Sequence, residues 1–136
     1  VTNAEAQRFA AEWVDNFNRR DIEAVLGHFA EEATFTSPRA IAFGGRATLP
    51  SRQELAVYWK AALDSIGSLH FTLDRVINDP EARRVAILYV REFDGKRMRA
   101  AEIYDFDDDS RIIRGEAMYG APLAPEAPWA QPSPLT

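Results

Sequence analysis

The 136 residues contain no Cys, so thiolate nucleophiles, disulfides and zinc–thiolate sites are excluded. Proton transfer is left to carboxyls, phenols and two imidazoles, His28 and His70. Glu102 is the best placed of these. It lies between Ala101 and Ile103 in a run that reads as a strand, and a period of two puts Ala100, Tyr104 and Phe106 on its face. A carboxyl on so apolar a face titrates above its ordinary range and can donate a proton or a hydrogen bond. The alternative is an exposed strand glutamate paired with a neighbouring arginine. Asp94-Gly95 signals a two-residue hairpin, and pairing across it sets Phe93 opposite Lys96, Arg91 opposite Met98 and Ile87 opposite Glu102. Tyr89 then shares the Glu102 face and can supply a phenolic donor. Arg91 shares it too, as a ligand anchor or a solvated rim residue, at ~13 Å along the strand and so too far to pair easily. His28 falls off the stripe of a short helix, and His70 alternates with Leu69 and Phe71. Both read first as structural or solvent-facing. Asp107-Asp108-Asp109 reads as a turn, and no metal or cofactor is expected.

These residues need elements to hold them. Thr2-Asn3-Ala4-Glu5 is a capping box, followed by an apolar helical stripe of Ala6, Phe9, Ala10, Trp13 and Phe17. Asp21 caps a second, short helix with the stripe Ile22, Val25, Leu26 and Phe29. Ala33 to Ser37 alternates and ends at Pro38, which predicts a short strand. Residues 38–50 have no clean period and read as a mobile loop. Ser51-Arg52-Gln53-Glu54 is a second capping box; the helix after it carries Leu55, Tyr58, Trp59, Ala62, Leu63 and Ile66 and is closed by Gly67. The period then changes to two, with strands expected at about 69–77, 83–93, 96–106 and 111–119. Helices followed by an antiparallel meander make an α+β layout. The tail from Ala121 to Thr136 holds five of the eight prolines and should be extended, outside the sheet.

A net charge of -5 argues against nucleic acid and anionic membrane surfaces as partners. No apolar run approaches the ~20 residues that span a bilayer, and the start Val1-Thr2-Asn3-Ala4-Glu5 has no signal-peptide character, so a cytoplasmic protein is expected. Val85 to Val90 is apolar on both faces, which points to a homodimer covering the side of the sheet away from the helices.

Three segments carry a resemblance. Asn18-Arg19-Arg20-Asp21-Ile22 resembles the junction between the first two helices of NTF2-like (SnoaL-like) proteins. Phe29-Ala30-Glu31-Glu32-Ala33-Thr34-Phe35-Thr36-Ser37-Pro38 resembles the "Y/F-A-D-D-A-T-V-E-D-P" stretch of bacterial ketosteroid isomerases, and Glu102 to Asp107 with Ile112 is similar to their "D-V-M-R-F-D…G-x-I". The resemblance covers residues 3–120. It implies a cone with three N-terminal helices packed on a curved antiparallel sheet, an apolar pocket, and residues 121–136 as a separate tail.

Carried over residue by residue, it implies an altered site. The isomerases' catalytic Asp matches Ser37, a poor base without an activator. Their oxyanion-hole Tyr matches Trp13, an indole donor with no acidic proton. Their protonated acid matches Glu102, and aromatic pocket positions match Phe29, Trp59 and Tyr119. Phe17 belongs to the same aromatic cluster. Classical ketosteroid isomerase activity is therefore not expected. SnoaL-type polyketide cyclases use His and Asp as acid and base, which draws attention to His28 and His70. Three functions remain. One is a cofactor-independent isomerase, cyclase or dehydratase acting on a hydrophobic, oxygen-bearing molecule, with Glu102 as acid/base and Tyr89 or Trp13 holding the ligand's oxygen. The others are a non-catalytic binder of a small apolar ligand and a dimeric interaction module.

Overall fold

The structure, a computed structural model, describes residues 1–124. Helix α1 (Asn3–Asn18) starts at the expected box: the Thr2 hydroxyl accepts from the Glu5 amide at 3.1 Å and the Glu5 carboxylate accepts from the Thr2 amide at 2.8 Å. Its stripe of Ala6, Phe9, Ala10, Trp13 and Phe17 is buried. Asp21 caps α2 (Ile22–Leu26) through the Ala24 amide at 3.1 Å. The short helix stops there. Phe29 opens strand β1 (Phe29–Thr36) instead of closing the helical stripe, so this strand is longer than the alternation of 33–37 indicated.

Residues 38–50 are more structured than their lack of period suggested. Ser37 caps a 3₁₀ turn (Pro38–Ala40), followed by α3 (Ile41–Gly44) and β2 (Thr48–Leu49). Segments this short bury few side chains, so they leave no periodic trace. Helix α4 (Arg52–Asp64) has half of its predicted box: Ser51 accepts from the Glu54 amide, but the Glu54 carboxylate turns to Arg46. Nor does Gly67 close α4. The cap is Ser65, and the carbonyls of Leu63, Ile66 and Gly67 are taken by the guanidinium of Arg20 at 2.9–3.1 Å. A distant side chain thus satisfies acceptors that a left-handed glycine normally serves.

Strands β3 (Leu69–Asp79), β4 (Arg84–Phe93), β5 (Lys96–Phe106) and β6 (Ile112–Leu123) form the meander. The Asp94-Gly95 turn has φ of 49° and 81°, the positive pair that a type I′ hairpin needs, and the register is the expected one. The sheet is six-stranded, curved and unclosed, in the order β2-β1-β6-β5-β4-β3. All pairs are antiparallel except β1 with β6, which is parallel. Strand β6 runs past the expected end, and Pro122 pairs with Met98; Ala121–Leu123 therefore belong to the sheet. The rest of the proline-rich segment, 125–136, lies outside the described residues. Among the described residues no helix is long and apolar enough to cross a membrane.

Helix α1 is pinned to the sheet by Asn18. Its side chain donates to the Phe71 carbonyl at 2.9 Å and accepts from the Phe71 amide at 2.6 Å, pairing with β3 as a strand residue would. At Gly115 on β6 a Cβ would stand 2.8 Å from the rings of Phe35 and Tyr104. A glycine there leaves room for both buried rings against β6.

Candidate functional site

Strand alternation delivers the inner face. On β5, Ala100, Glu102, Tyr104 and Phe106 all point inward and are buried, and on β4 so are Val85, Ile87, Tyr89, Arg91 and Phe93. Glu102 is 4% exposed. Tyr89, two residue pairs along the hairpin on the same face, donates from its hydroxyl to Glu102 Oε2 at 2.9 Å. That is the one protein hydrogen bond of the carboxyl among the described residues, so Oε1 is left for another partner. Burial pushes the Glu102 carboxyl up to about 8, against the opposing pull of the Tyr89 hydrogen bond and the Arg91 charge. The acid is largely protonated at neutral pH. Burial, then the nearby Glu102, also raises Tyr89 well above the ordinary phenol range, so it stays a donor.

Around this pair α1, α4 and the sheet close a narrow crevice of about 40 Å³. Its wall includes Trp13 and Phe17 from α1, Tyr58 and Trp59 from α4, Tyr89, Arg91 and Glu102 from the hairpin, and Tyr119 from β6. Arg39, from the 3₁₀ turn, completes it. The volume is on the order of one water. Pockets for drug-sized ligands run about 300–1,000 Å³, so a steroid-sized molecule has no room in this conformation.

Of the residues singled out from sequence, Trp13, Phe17, Trp59, Tyr89, Arg91, Glu102 and Tyr119 line this crevice. Phe29 does not; it is fully buried and packs on Trp59 and Tyr104 in the core behind. Ser37 sits one layer back, wholly buried, with its hydroxyl 3.4 Å from those of Tyr58 and Tyr119. The Trp13 indole N–H donates to the Tyr104 hydroxyl at 2.9 Å and is occupied by the protein itself. Arg91 lines the same crevice as Glu102. Its long side chain folds back over the rings of Phe93 and Tyr119, at 4.4 and 4.9 Å, and its charge reaches the carboxyl without an ion pair.

The histidines are elsewhere. His28, in the turn between α2 and β1, packs edge-on against Phe9, and burial lowers its pKa. His70 is exposed on β3. Asp107 turns its carboxylate onto the amides of Asp109 and Arg111, a turn-closing role, and among the described residues no cluster has the makings of a metal site.

Tyr58 and Arg39 were not recognised from sequence as site residues. Tyr58 was visible as part of the α4 stripe, but a stripe does not separate core from lining. Arg39 follows Pro38 in the segment with no period.

Comparison with known proteins gives a consistent picture. A family model described as "SnoaL-like domain" matches residues 10–115. A SnoaL-like protein of unknown function from Burkholderia thailandensis is 31% identical, with a TM-score of 0.78, over 89% of this chain and 99% of that one. An NTF2-like protein of unknown function from Burkholderia pseudomallei is 19% identical, with a TM-score of 0.71, over 85% and 90%. A steroid delta-isomerase from Pseudomonas aeruginosa is 22% identical, with a TM-score of 0.66, over 88% and 82%. No curated protein matches the sequence.

Proposed function

The chain belongs to the SnoaL-like domain family, and on that premise we propose that it is a cofactor-independent enzyme. Its reaction moves a proton on a small oxygen-bearing substrate, in the manner of an isomerase, cyclase or dehydratase. The observation that carries this reading is the Glu102–Tyr89 pair, a buried neutral acid with one oxygen uncommitted at the floor of a crevice. A protonated carboxyl donates a hydrogen bond to a substrate oxygen as negative charge develops on it. After giving up its proton it is a carboxylate and can take one back from a neighbouring atom, so one group serves as acid and then base. The Tyr89 hydroxyl holds the carboxyl in place and stabilises its ionised form. Ser37 in place of a carboxylate removes the second group of a ketosteroid isomerase, and the crevice volume restricts the substrate to molecules far smaller than a steroid unless α4 and the 3₁₀ turn part to admit more.

The test is proton exchange in D₂O, followed by NMR, over a panel of small ketones, enones and hydroxycarbonyl compounds. Wild-type protein should exchange, isomerise or dehydrate at least one, and Glu102→Gln should abolish turnover while leaving binding largely intact. Binding without turnover across the panel would favour the non-catalytic binder. Neither binding nor turnover would favour the interaction module, the second reading, which the narrowness of the crevice supports.

A further inference from the structure

Arg91 is a charged side chain that the proton-transfer reading leaves unused. It is 5% exposed. Its guanidinium lies over Phe93 at 4.4 Å and Tyr119 at 4.9 Å, and among the described residues its side-chain hydrogen bond is a long Nη1 contact of 3.9 Å to the Met98 sulfur. Among the described residues no carboxylate lies within ion-pair distance of it. Two ring faces offset part of the cost of burying the charge, but a guanidinium carries five N–H donors and a thioether is a weak acceptor. A buried charge without a counter-ion costs several kcal/mol. Glu102 is in the same crevice, yet its carboxyl bonds to Tyr89 and makes no ion pair with Arg91. A second guanidinium, Arg39, half-buried, stands 5.1 Å from the other partner ring, Phe93. Two cations therefore converge on one end of the crevice, and the acid occupies its floor.

We propose that Arg91 is a carboxylate anchor and that the crevice, once α4 and the 3₁₀ turn part to admit it, takes a small organic acid: its carboxylate forks onto Arg91, and its short apolar body extends toward Glu102. This rests on the reading that the crevice takes a small molecule. A planar guanidinium matches a carboxylate with two parallel hydrogen bonds, which the amide of the same acid cannot reproduce. Arg39 adds positive charge to the same end of the crevice and draws the anion in.

Crotonate and crotonamide form a matched pair of nearly equal shape that differ in charge. Binding is read from the indole N–H signals of Trp13 and Trp59 in ¹H–¹⁵N spectra. Crotonate should shift them saturably, and crotonamide should bind at least about tenfold more weakly, a difference of about 1.4 kcal/mol. In Arg91→Gln the preference should vanish. That variant should fold at least as stably as wild type, because it removes a buried charge that has no counter-ion; thermal melts check this. Inorganic phosphate should compete poorly, since it lacks the apolar body. Equal binding of acid and amide would overturn the anchor and leave the crevice reading standing. An Arg91→Gln variant that keeps its preference for crotonate, or phosphate binding as well as crotonate, would also overturn it. No response to any of the three would sink both readings.

Discussion

At the scale of single residues the fold tolerates a cost at Glu102. A carboxyl held at about 8 in the folded protein, against 4.5 when free, binds a proton over a pH range in which the unfolded chain has already lost it. Stability attributable to this residue is unaffected below about pH 4.5. It falls as pH rises through the window to about 8, by at most roughly 1.4 kcal/mol per pH unit, and is flat above. Denaturant melts of wild type and Glu102→Gln at pH 5 and 8 should therefore differ in a set direction, the variant losing less stability between the two. Identical pH dependence would mean the acid is not held neutral. Tyr89→Phe tests the partner. Its hydrogen bond favours the ionised carboxyl, so its loss should move the Glu102 titration upward, as followed by NMR of ¹³C-labelled Glu, and should cost about 1 kcal/mol of stability. The location of Glu102, its face-mates and the opposing Ile87 were legible in the sequence because strand parity and one Asp-Gly turn fix them together. The Trp13–Tyr104 bond was not legible. It joins residues 91 apart, and nothing local in either segment signals it.

The elements hold these residues through a few connections that are not periodic. Asn18 is one: its side chain supplies both a donor and an acceptor to the backbone of Phe71. Asn18→Ala would leave two main-chain groups unpaired at the seam between α1 and β3, and we expect a loss of about 2 kcal/mol or more, measured by urea unfolding. Asn18→Asp should recover part of it, through the acceptor alone. Gly115→Ala is the packing counterpart. A methyl 2.8 Å from two buried rings cannot be absorbed without moving β6, and we expect about 1–3 kcal/mol of destabilisation. The main helices and the meander could be read from sequence because each repeats its pattern over several turns or pleats. The 3₁₀ turn, α3 and β2 could not, being too short to show a period. The end of α4 was misassigned because the residue that satisfies its carbonyls, Arg20, lies more than forty positions upstream.

On the scale of the whole molecule, the outer face of the sheet is partly apolar. Leu88 on β4, Ala101 on β5 and Met118 on β6 line a shallow apolar groove there, and Met118 is 47% exposed. The guanidinium groups of Arg84 and Arg114 flank the one carboxylate of Asp105 in a ladder across three strands on the same side, with the Arg84 hydrogen bond holding the Asp105 carboxyl below its ordinary range. An apolar patch beside a charged ladder suits a second copy of the chain, and we expect a homodimer with this face inside. Light scattering on wild type should give twice the monomer mass, and Leu88→Arg with Met118→Arg should halve it without loss of helical circular dichroism. A monomer at every wild-type concentration would exclude the arrangement.

The parallel pairing of β1 with β6 carries a consequence for how the chain acquires its shape during synthesis. Phe35 lies beside Gly115 in the sheet, eighty positions away in the chain. As the polypeptide leaves the ribosome from its N-terminus, β1 and its small partner β2 emerge early, and the strand that joins them to the rest of the sheet emerges last. Until then β1 has a bare edge, the rings of Phe29 and Phe35 have no β6 to lie against, and β5 has a second bare edge waiting for the same strand. Contacts this distant in sequence slow folding, and an unpaired strand is where nascent chains stick to one another. Ribosome-stalled chains ending before Ile112 should remain open to protease throughout β1, whereas chains extended far enough for Leu123 to clear the exit tunnel should become resistant in one step. A gradual gain of resistance with length would mean that the N-terminal half closes on its own.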